Sequence, residues 1–406
     1  MTNVVAIGTL DTKGAEYAFL SDRLREHGVD VILVDAGVLG EPTTEPDITR
    51  EEVARAAGAE LSGLVAAGDR GAAVETMSRG AAEIVGRLHK EGRLDAIVGM
   101  GGTGGTALVT HAMQQLPVGV PKLVVSTVAS GDTRPYVGAM DITMMYSVVD
   151  VAGVNQISSR IIGNAAAAIA GMATAEVPEL GEARPLIGAS MFGVTTPCVT
   201  TARERLEDLG YEVLVFHQTG TGGQSMEELV RAGFIRGVLD VTTTELCDEL
   251  VGGVLAAHPR RLEVVGSLGV PQVVSLGALD MVNFGPVDTV PEAFRSRNRY
   301  VHNPTVTLMR TTPEECAELG RRVARKLSSA TGPTALFIPL RGVSMIAIEG
   351  QPFHDPAADD ALFSAVRENL GPNVELHELD TDVNDPTFAL AMADRLHEML
   401  KDGDEQ

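Results

Sequence analysis

Five glycines stand in the seven residues from Gly99 to Gly105, within the stretch VGMGGTGGTALVTHAM that starts at Val98. Glycine weakens regular structure by ~0.5–1 kcal/mol relative to alanine, so this density is costly unless something must approach the backbone closely. The run ends an apolar segment and opens a helical pattern. Consecutive backbone N–H groups at a helix N-terminus make an anion site that the helix dipole reinforces. Phosphate binding is therefore expected at Gly101, Gly102, Thr103, Gly104, Gly105 and Thr106, with the two threonines adding hydroxyl donors. The alternative is a tight turn required only for helix–sheet packing. The spacing approaches that of a P-loop, but Gly105 stands where the lysine belongs, so this is not a Walker A motif. Lys13, in GTLDTKGAE, supplies a cation if that stretch folds over the pocket, with Thr9 and Asp11 beside it; otherwise Lys13 is a solvated first-turn lysine. GTLDTKGAE is not GxGxxG either, so the dinucleotide fingerprint is absent, and Asp35 at the end of the second apolar run reads as a loop residue before it reads as a ribose ligand. A second polar loop, STVASGDTRPYVG, contributes Ser126, Ser130, Gly131 and Asp132. Asp132 or Asp141 is the candidate to hold Mg²⁺ beside a polyphosphate.

The second half carries its own chemistry-bearing residues. His217 ends YEVLVFH, Asp240 and Glu245 lie in LDVTTTELCDEL, and Asp280 and Asn283 follow VVSLGALDMVNF. On a parallel sheet these groups converge on one edge. His217, Asp240, Glu245 and Asp280 are the candidate catalytic set, since a histidine near carboxylates can do general acid–base work or hold a metal. His302 and Asn303 add further polar groups. Taken singly, each residue reads equally as a helix cap or a satisfied loop residue. Gly220, Gly222 and Gly223 beside His217 favour close ligand approach. Glu227 reads as a first-turn carboxylate, and Cys247 has no paired base at a suitable spacing.

The elements that must position these residues follow one plan twice. NVVAIG, VDVILVDAG, LDAIVGM and PKLVVST read as strands, separated by amphipathic helical patterns, and Thr49 to Glu52 reads as a capping box. Strand, helix, strand in this rhythm implies βαβ crossovers and a parallel sheet. After the linker EVPELGEARP the pattern recurs with LIGASMFG, YEVLVFH and TALFIPL, and SDRLREHGVDVILVDAG is echoed by RERLEDLGYEVLVFHQTG. Asp355-Pro356 and Asp385-Pro386 look like helix starts. The expected architecture is α/β: two Rossmann-like, doubly wound parallel-sheet domains with a related plan, residues 1–180 binding nucleotide and 181–406 carrying a substrate or catalytic cleft.

Composition bounds the partners. The 406-residue chain is 44% hydrophobic, with 44 glycines, 4% aromatics and no Trp. Its net charge of −23 repels nucleic acid and anionic lipid, since binding to either requires neutralising phosphates. Cys198, Cys247 and Cys316 form no CxxC, which argues against a disulfide framework or a structural zinc. No signal sequence and no run of ~20 apolar residues stands out, so a cytoplasmic protein is expected.

GTLDTKGAE, GMGGTGGT, STVASGDT, HQTGTGG, LDVTTTEL and GALDMVNFGP, in this order along the chain, resemble the Tm-1-like ATP-binding family, also called UPF0261. The resemblance implies two Rossmann-like subdomains, nucleotide bound by the first, and dimers. The plant members that name the family carry a further C-terminal domain absent from this sequence, and their antiviral role is not carried over. The run QISSRIIGNAAAAIAGMATA offers small residues for close helix packing between two copies. Together these readings predict a protein that binds ATP, with Mg²⁺ beside it, and acts as a small-molecule enzyme through a cleft between its domains. The alternative is a nucleotide-binding regulatory or partner-binding module without turnover.

Overall fold

The computed structural model describes residues 2–176 and 184–404. Most of the expected linker, Glu176 to Pro185, lies outside them. The chain forms two compact units, Met1–Glu179 and Leu180–Gln406.

The first unit runs β1 (Asn3–Gly8), α1 (Leu10–Glu26), β2 (Asp30–Asp35), α2 (Arg50–Ala56), α3 (Leu61–Ala67), α4 (Arg70–Lys90), β3 (Ala96–Gly101), α5 (Thr103–Met113), β4 (Lys122–Ser126), α6 (Arg134–Val137), β5 (Ile142–Tyr146) and α7 (Ser158–Thr174). Its five strands are all parallel, in the order β2-β1-β3-β4-β5. The strands are apolar along their middles, with polar residues confined largely to their ends, because helices cover both faces of the sheet. Val5, Ile7, Ile97 and Val124 face α2, α4 and α5, while Val4, Ala6, Val98 and Leu123 face α1 and α7. Thr49 caps α2 in a full capping box with Glu52, as its sequence predicts. In α7 the buried part of the small-residue run, Ala165, Ala166 and Ala170, packs with Tyr17, Leu20 and Leu24 of α1. This part of the run serves packing inside the unit, while Ala167 and Gly171 of the same run are exposed.

The second unit contains β6 (Leu186–Met191), α8 (Thr196–Asp208), β7 (Glu212–His217), α9 (Gly222–Arg231), β8 (Ile235–Thr242), α10 (Glu245–Val251), α11 (Val264–Ser267), β9 (Gln272–Gly277), β10 (Met281–Phe284), β11 (Arg299–Asn303), β12 (Val306–Arg310), α12 (Pro313–Ser328), β13 (Thr334–Pro339), α13 (Pro356–Asn369), β14 (Glu375–Leu379) and α14 (Pro386–Asp404). Its parallel sheet has the order β7-β6-β8-β9-β13-β14. Counted within the unit, this is the same 2-1-3-4-5 winding with one more strand. Both units are thus Rossmann-like doubly wound folds. The sequence reading did not include the antiparallel sheet β10-β12-β11. Asp355 caps α13 through the N–H of Ala358, and Asp385 accepts from the N–H of Thr387 beside Pro386. Among the described residues no helix is long and apolar enough to cross a membrane.

Candidate functional site

In a 2-1-3-4-5 sheet the winding reverses between β1 and β3, and ligands bind outside the carboxyl ends of the strands there. Tyr17 shapes this point. Its hydroxyl donates to the carbonyl of Ile7 at 2.5 Å and accepts from the N–H of Met100 at 2.8 Å. The ring bridges the two strands just beyond their last paired residues, Ile7 and Gly99. It fits because Gly8 lacks a Cβ, which would lie 2.1 Å from the hydroxyl.

A cavity of about 500 Å³ opens at this point, lined by Thr9, Asp11, Lys13 and Gly102 to Gly105 among others. The five glycines of the loop divide by what a Cβ would meet. At Gly99 it would lie 2.4 Å from a Val109 methyl and 2.9 Å from the carbonyl of Ile7, and at Gly101 it would lie 3.0 Å from Gly105. Those two serve packing. At Gly104 nothing lies within 4 Å, at Gly102 only Thr127 Oγ1 at 3.7 Å, and at Gly105 only the Met100 carbonyl at 3.5 Å. None of the five has positive φ. The protein itself gives little reason for glycine at these three positions. They start α5, whose N-cap residue Gly102 provides no side-chain cap, so the first-turn N–H groups face the cavity without that partner.

The DTKG stretch borders the same cavity, but its residues take different parts. Asp11 Oδ2 accepts from the N–H groups of Val38, Leu39 and Gly40 at 3.1, 2.7 and 3.4 Å. Asp11 thus fastens the loop after β2 through Oδ2, while its Oδ1, on the same cavity, has no hydrogen-bond partner. Thr9 Oγ1 pairs with Thr12 Oγ1 at 3.0 Å. Lys13 interrupts the helical dihedrals of α1, and its Nζ donates to the Val151 carbonyl. No carboxylate pairs with Lys13, nor with Arg70 on the same cavity, among the described residues, so both cations are open to an anion. Sequence reasoning passed over Arg70.

Other expected ligands sit elsewhere. Thr106 and Ser126 are fully buried and bond each other at 2.7 Å, so neither hydroxyl is on the cavity wall. Ser130, Gly131 and Asp132 are exposed outside it, and Asp132 is held by Arg134. Asp141 pairs with buried Lys122 at 2.7 Å, at the amino ends of β4 and β5, opposite the cavity. Neither carboxylate is placed as an Mg²⁺ ligand for this pocket. Among the described residues no group of three His, Cys, Asp or Glu is arranged to hold a metal ion. Asp35 is buried, accepting from the N–H groups of Leu10 and Gly37, and burial raises its carboxyl above the usual range.

The second-unit set does not form an open catalytic cleft. Asp240 and Glu245 are buried around Arg261, which sequence reasoning missed because HPRRLE reads as surface charge. Arg261 is 1% exposed and grips Asp240 bidentately at 2.6 and 2.7 Å, with Glu245 at 3.3 Å and Glu227 at 3.5 Å. Ser190 donates to Asp240, and the N–H of Gly220 donates to Glu245. Burial pushes Glu227 up to about 7 against the pull of Arg261. Glu227 is thus a member of the network, not a plain first-turn carboxylate. The nearby glycines are packing residues: a Cβ at Gly222 would lie 1.9 Å from the His217 carbonyl, and one at Gly223 would lie 2.1 Å from Arg261 Nε. His217 is exposed on edge strand β7 against Phe192 and has no carboxylate at ion-pair distance among the described residues. Asp280 belongs to a different buried cluster, bonded to Ser344 at 2.7 Å, and burial raises its carboxyl to about 6 with nearby Arg310 opposing. Cys247 is buried, and its thiol is pushed well up by that burial. His302 and Asn303 lie on exposed β11.

Known proteins agree with the two-unit reading. Residues 2–178 match the N-terminal domain of the Uncharacterised protein family (UPF0261), and residues 184–400 match its C-terminal domain. A UPF0261 protein of Clostridium tetani is 53% identical over 98% of this chain and 99% of its own. The ToMV resistance protein Tm-1(GCR237) of Solanum lycopersicum is 39% identical over 98% of this chain but 55% of its own length, so this chain spans about half of that relative. Among solved structures, a putative UDP-N-acetylglucosamine 2-epimerase from Listeria monocytogenes aligns over 67% of this chain and 78% of that one, at 10% identity and a TM-score of 0.23. A likeness at that score carries no functional argument. Both units are matched in order and nearly end to end, and the chain belongs to the UPF0261 family.

Proposed function

We propose that the first unit binds a nucleotide, ATP with its Mg²⁺, through its phosphate chain at the start of α5. The observation that supports this most is the contrast within one loop. Gly99 and Gly101 are required by their neighbours, whereas Gly102, Gly104 and Gly105 leave space beside the backbone that a ligand could occupy. The uncapped N–H groups of α5, with Lys13 and Arg70 on the same cavity, make a fitting cradle for a polyanion in a strongly acidic protein. A magnesium ion here would take most of its oxygens from phosphate and water, and Asp150 is the cavity carboxylate for which no hydrogen bond is described.

Of the two activities expected from the sequence, binding without turnover is the reading we favour. The enzyme reading rested on His217, Asp240, Glu245 and Asp280 reaching a substrate, and the three carboxylates are buried while His217 stands exposed on edge strand β7 with no carboxylate at ion-pair distance among the described residues. Dimer formation remains a proposal drawn from the family resemblance. Calorimetry with ATP and Mg²⁺ on wild type and Gly102→Val tests the site. The variant is expected to fold and to lose at least ~10-fold in affinity, the scale of one hydrogen bond to a charged group. Unchanged affinity would place the nucleotide elsewhere.

A further inference from the structure

The stretch from Ala293 to Pro313 holds four arginines and one histidine and no Asp or Glu, in a chain with 32 Lys and Arg against 55 Asp and Glu. It contains β11 and β12 of the antiparallel sheet. Two of its arginines are engaged inside the unit. Arg310 pairs with Asp359 at 2.6 Å, and Arg297 grips Glu315 at 2.7 and 2.6 Å while donating to the Arg310 carbonyl. These bonds fasten the sheet to its surroundings. Arg295 and Arg299 have no carboxylate at ion-pair distance among the described residues, and neither has His302.

β11 is the outer strand of the order β10-β12-β11, and all of Arg299 to Asn303 is exposed or half-buried. Its neighbour β12 is buried from Thr307 on. Along an antiparallel strand, backbone groups turn alternately to one side and the other. The N–H of Arg310 donates to the carbonyl of Asn298 at 2.9 Å, and Tyr300 stands opposite Leu308. Asn298 and Tyr300 therefore turn their backbone groups to β12, and those of Arg299 and Val301 point to the open edge. The strand's irregularity comes only after them, between Val301 and Asn303. Tyr300 is 37% exposed and Val301 54% exposed. Unpaired N–H and C=O groups beside uncovered apolar side chains form a template for one more strand.

Charge decides which strand fits. A second copy of β11 brings more cations and no carboxylate, so Arg295 and Arg299 would stay unpaired. An acidic strand supplies the partners they lack. Nucleic acid fits less well, because only this short strip is basic and the net charge of −23 repels a longer polyanion. We propose that β11 is a docking edge for an extended acidic peptide segment. The segment adds as a strand along Arg299 to Val301, through their outward backbone groups, and sets its carboxylates against Arg295 and Arg299. This inference goes beyond the nucleotide reading of the first unit and does not depend on it.

The test is fluorescence anisotropy of labelled probes titrated with the full chain, as wild type and two variants. One probe is a peptide alternating glutamate with valine, the second alternates lysine with valine, and the third is oligouridylate. The glutamate peptide is expected to bind less tightly as salt rises, and at least ~10-fold more tightly than either other probe. Val301→Pro removes an outward N–H and no bond to β12, a change that edge strands accept. It should weaken the glutamate peptide by ~10-fold, the scale of a lost hydrogen bond. Arg295→Glu/Arg299→Glu replaces two side chains that have no partner in the fold and should weaken it at least as much. The proposal is overturned if the glutamate peptide does not bind wild type, if oligouridylate binds as tightly, or if either folded variant binds undiminished. Self-association of wild type that Val301→Pro abolishes would give the edge to a second copy and overturn it as well.

Discussion

Replacing Gly99 and Gly104 by alanine, one at a time, separates the two reasons a loop can hold glycine. At Gly99 the added methyl would lie 2.4 and 2.7 Å from the two Val109 methyls and 2.9 Å from the Ile7 carbonyl oxygen. The carbonyl belongs to β1, which is paired on both sides by β2 and β3. Overpacking of this kind costs about 1–3 kcal/mol. At Gly104, in the first turn of α5, nothing lies within 4 Å of the new methyl. Alanine is favoured over glycine in a helix by about 0.5–1 kcal/mol, so this variant should be more stable than wild type. For a unit of this size 1 kcal/mol moves Tm by roughly 2–4 °C. Scanning calorimetry should therefore show Gly99→Ala melting several degrees lower and Gly104→Ala a degree or more higher. Titration with ATP and Mg²⁺ should show Gly104→Ala weakened by about tenfold or more, because its methyl occupies space assigned to a phosphate oxygen and removes a charge-assisted hydrogen bond. A Gly104→Ala protein that is stabilised and binds at wild-type affinity refutes the assignment. Equal destabilisation of both variants refutes the division of the loop into packing and binding glycines.

Arg261→Met leaves Asp240, Glu227 and Glu245 buried without their cation and should cost about 3–5 kcal/mol in chemical denaturation; a loss under 1 kcal/mol would mean that the network contributes little. Burial holds Glu227 and Asp248 up to about 7, above the carboxylate pKa of an unfolded chain. The unfolded state therefore binds fewer protons between about pH 4.5 and 7. Stability from these groups is complete at the acidic end and is lost as pH rises through 7, so Tm should fall over that window and fall less in Glu227→Gln. Thr106→Val breaks a buried hydroxyl pair with Ser126; it should lower stability by about 1–3 kcal/mol while ATP affinity stays within twofold, opposite to what its place in the motif implies.

The winding of both units was legible because buried parallel strands read as short apolar runs between amphipathic helices. The glycine loop was legible because backbone freedom is written directly as glycine. What it could not reveal is which glycines serve packing: Gly99 and Gly104 look alike until Val109 and Ile7 are placed beside one of them. Chemistry-bearing residues in the second half misled for a related reason. Asp240 and Glu245 sit at strand ends, where a ligand would be met in an open sheet, but their partner Arg261 comes from a turn 21 and 16 residues on and closes over them. Asp11 was read as a ligand for the same cavity it borders; its role in fastening Val38 to Gly40 depends on a loop 27 to 29 residues away. Tyr17 gave no signal at all, since a helical tyrosine carries no mark that its hydroxyl will bridge two strands.

The most direct test of the central claim is a crystal structure of the protein grown with ATP and Mg²⁺. Phosphate oxygens are predicted within hydrogen-bond distance of the N–H groups of Thr103, Gly104 and Gly105, with Lys13 turned from the Val151 carbonyl towards them. Nucleotide density elsewhere on the molecule, with those three amides facing solvent, would contradict the account.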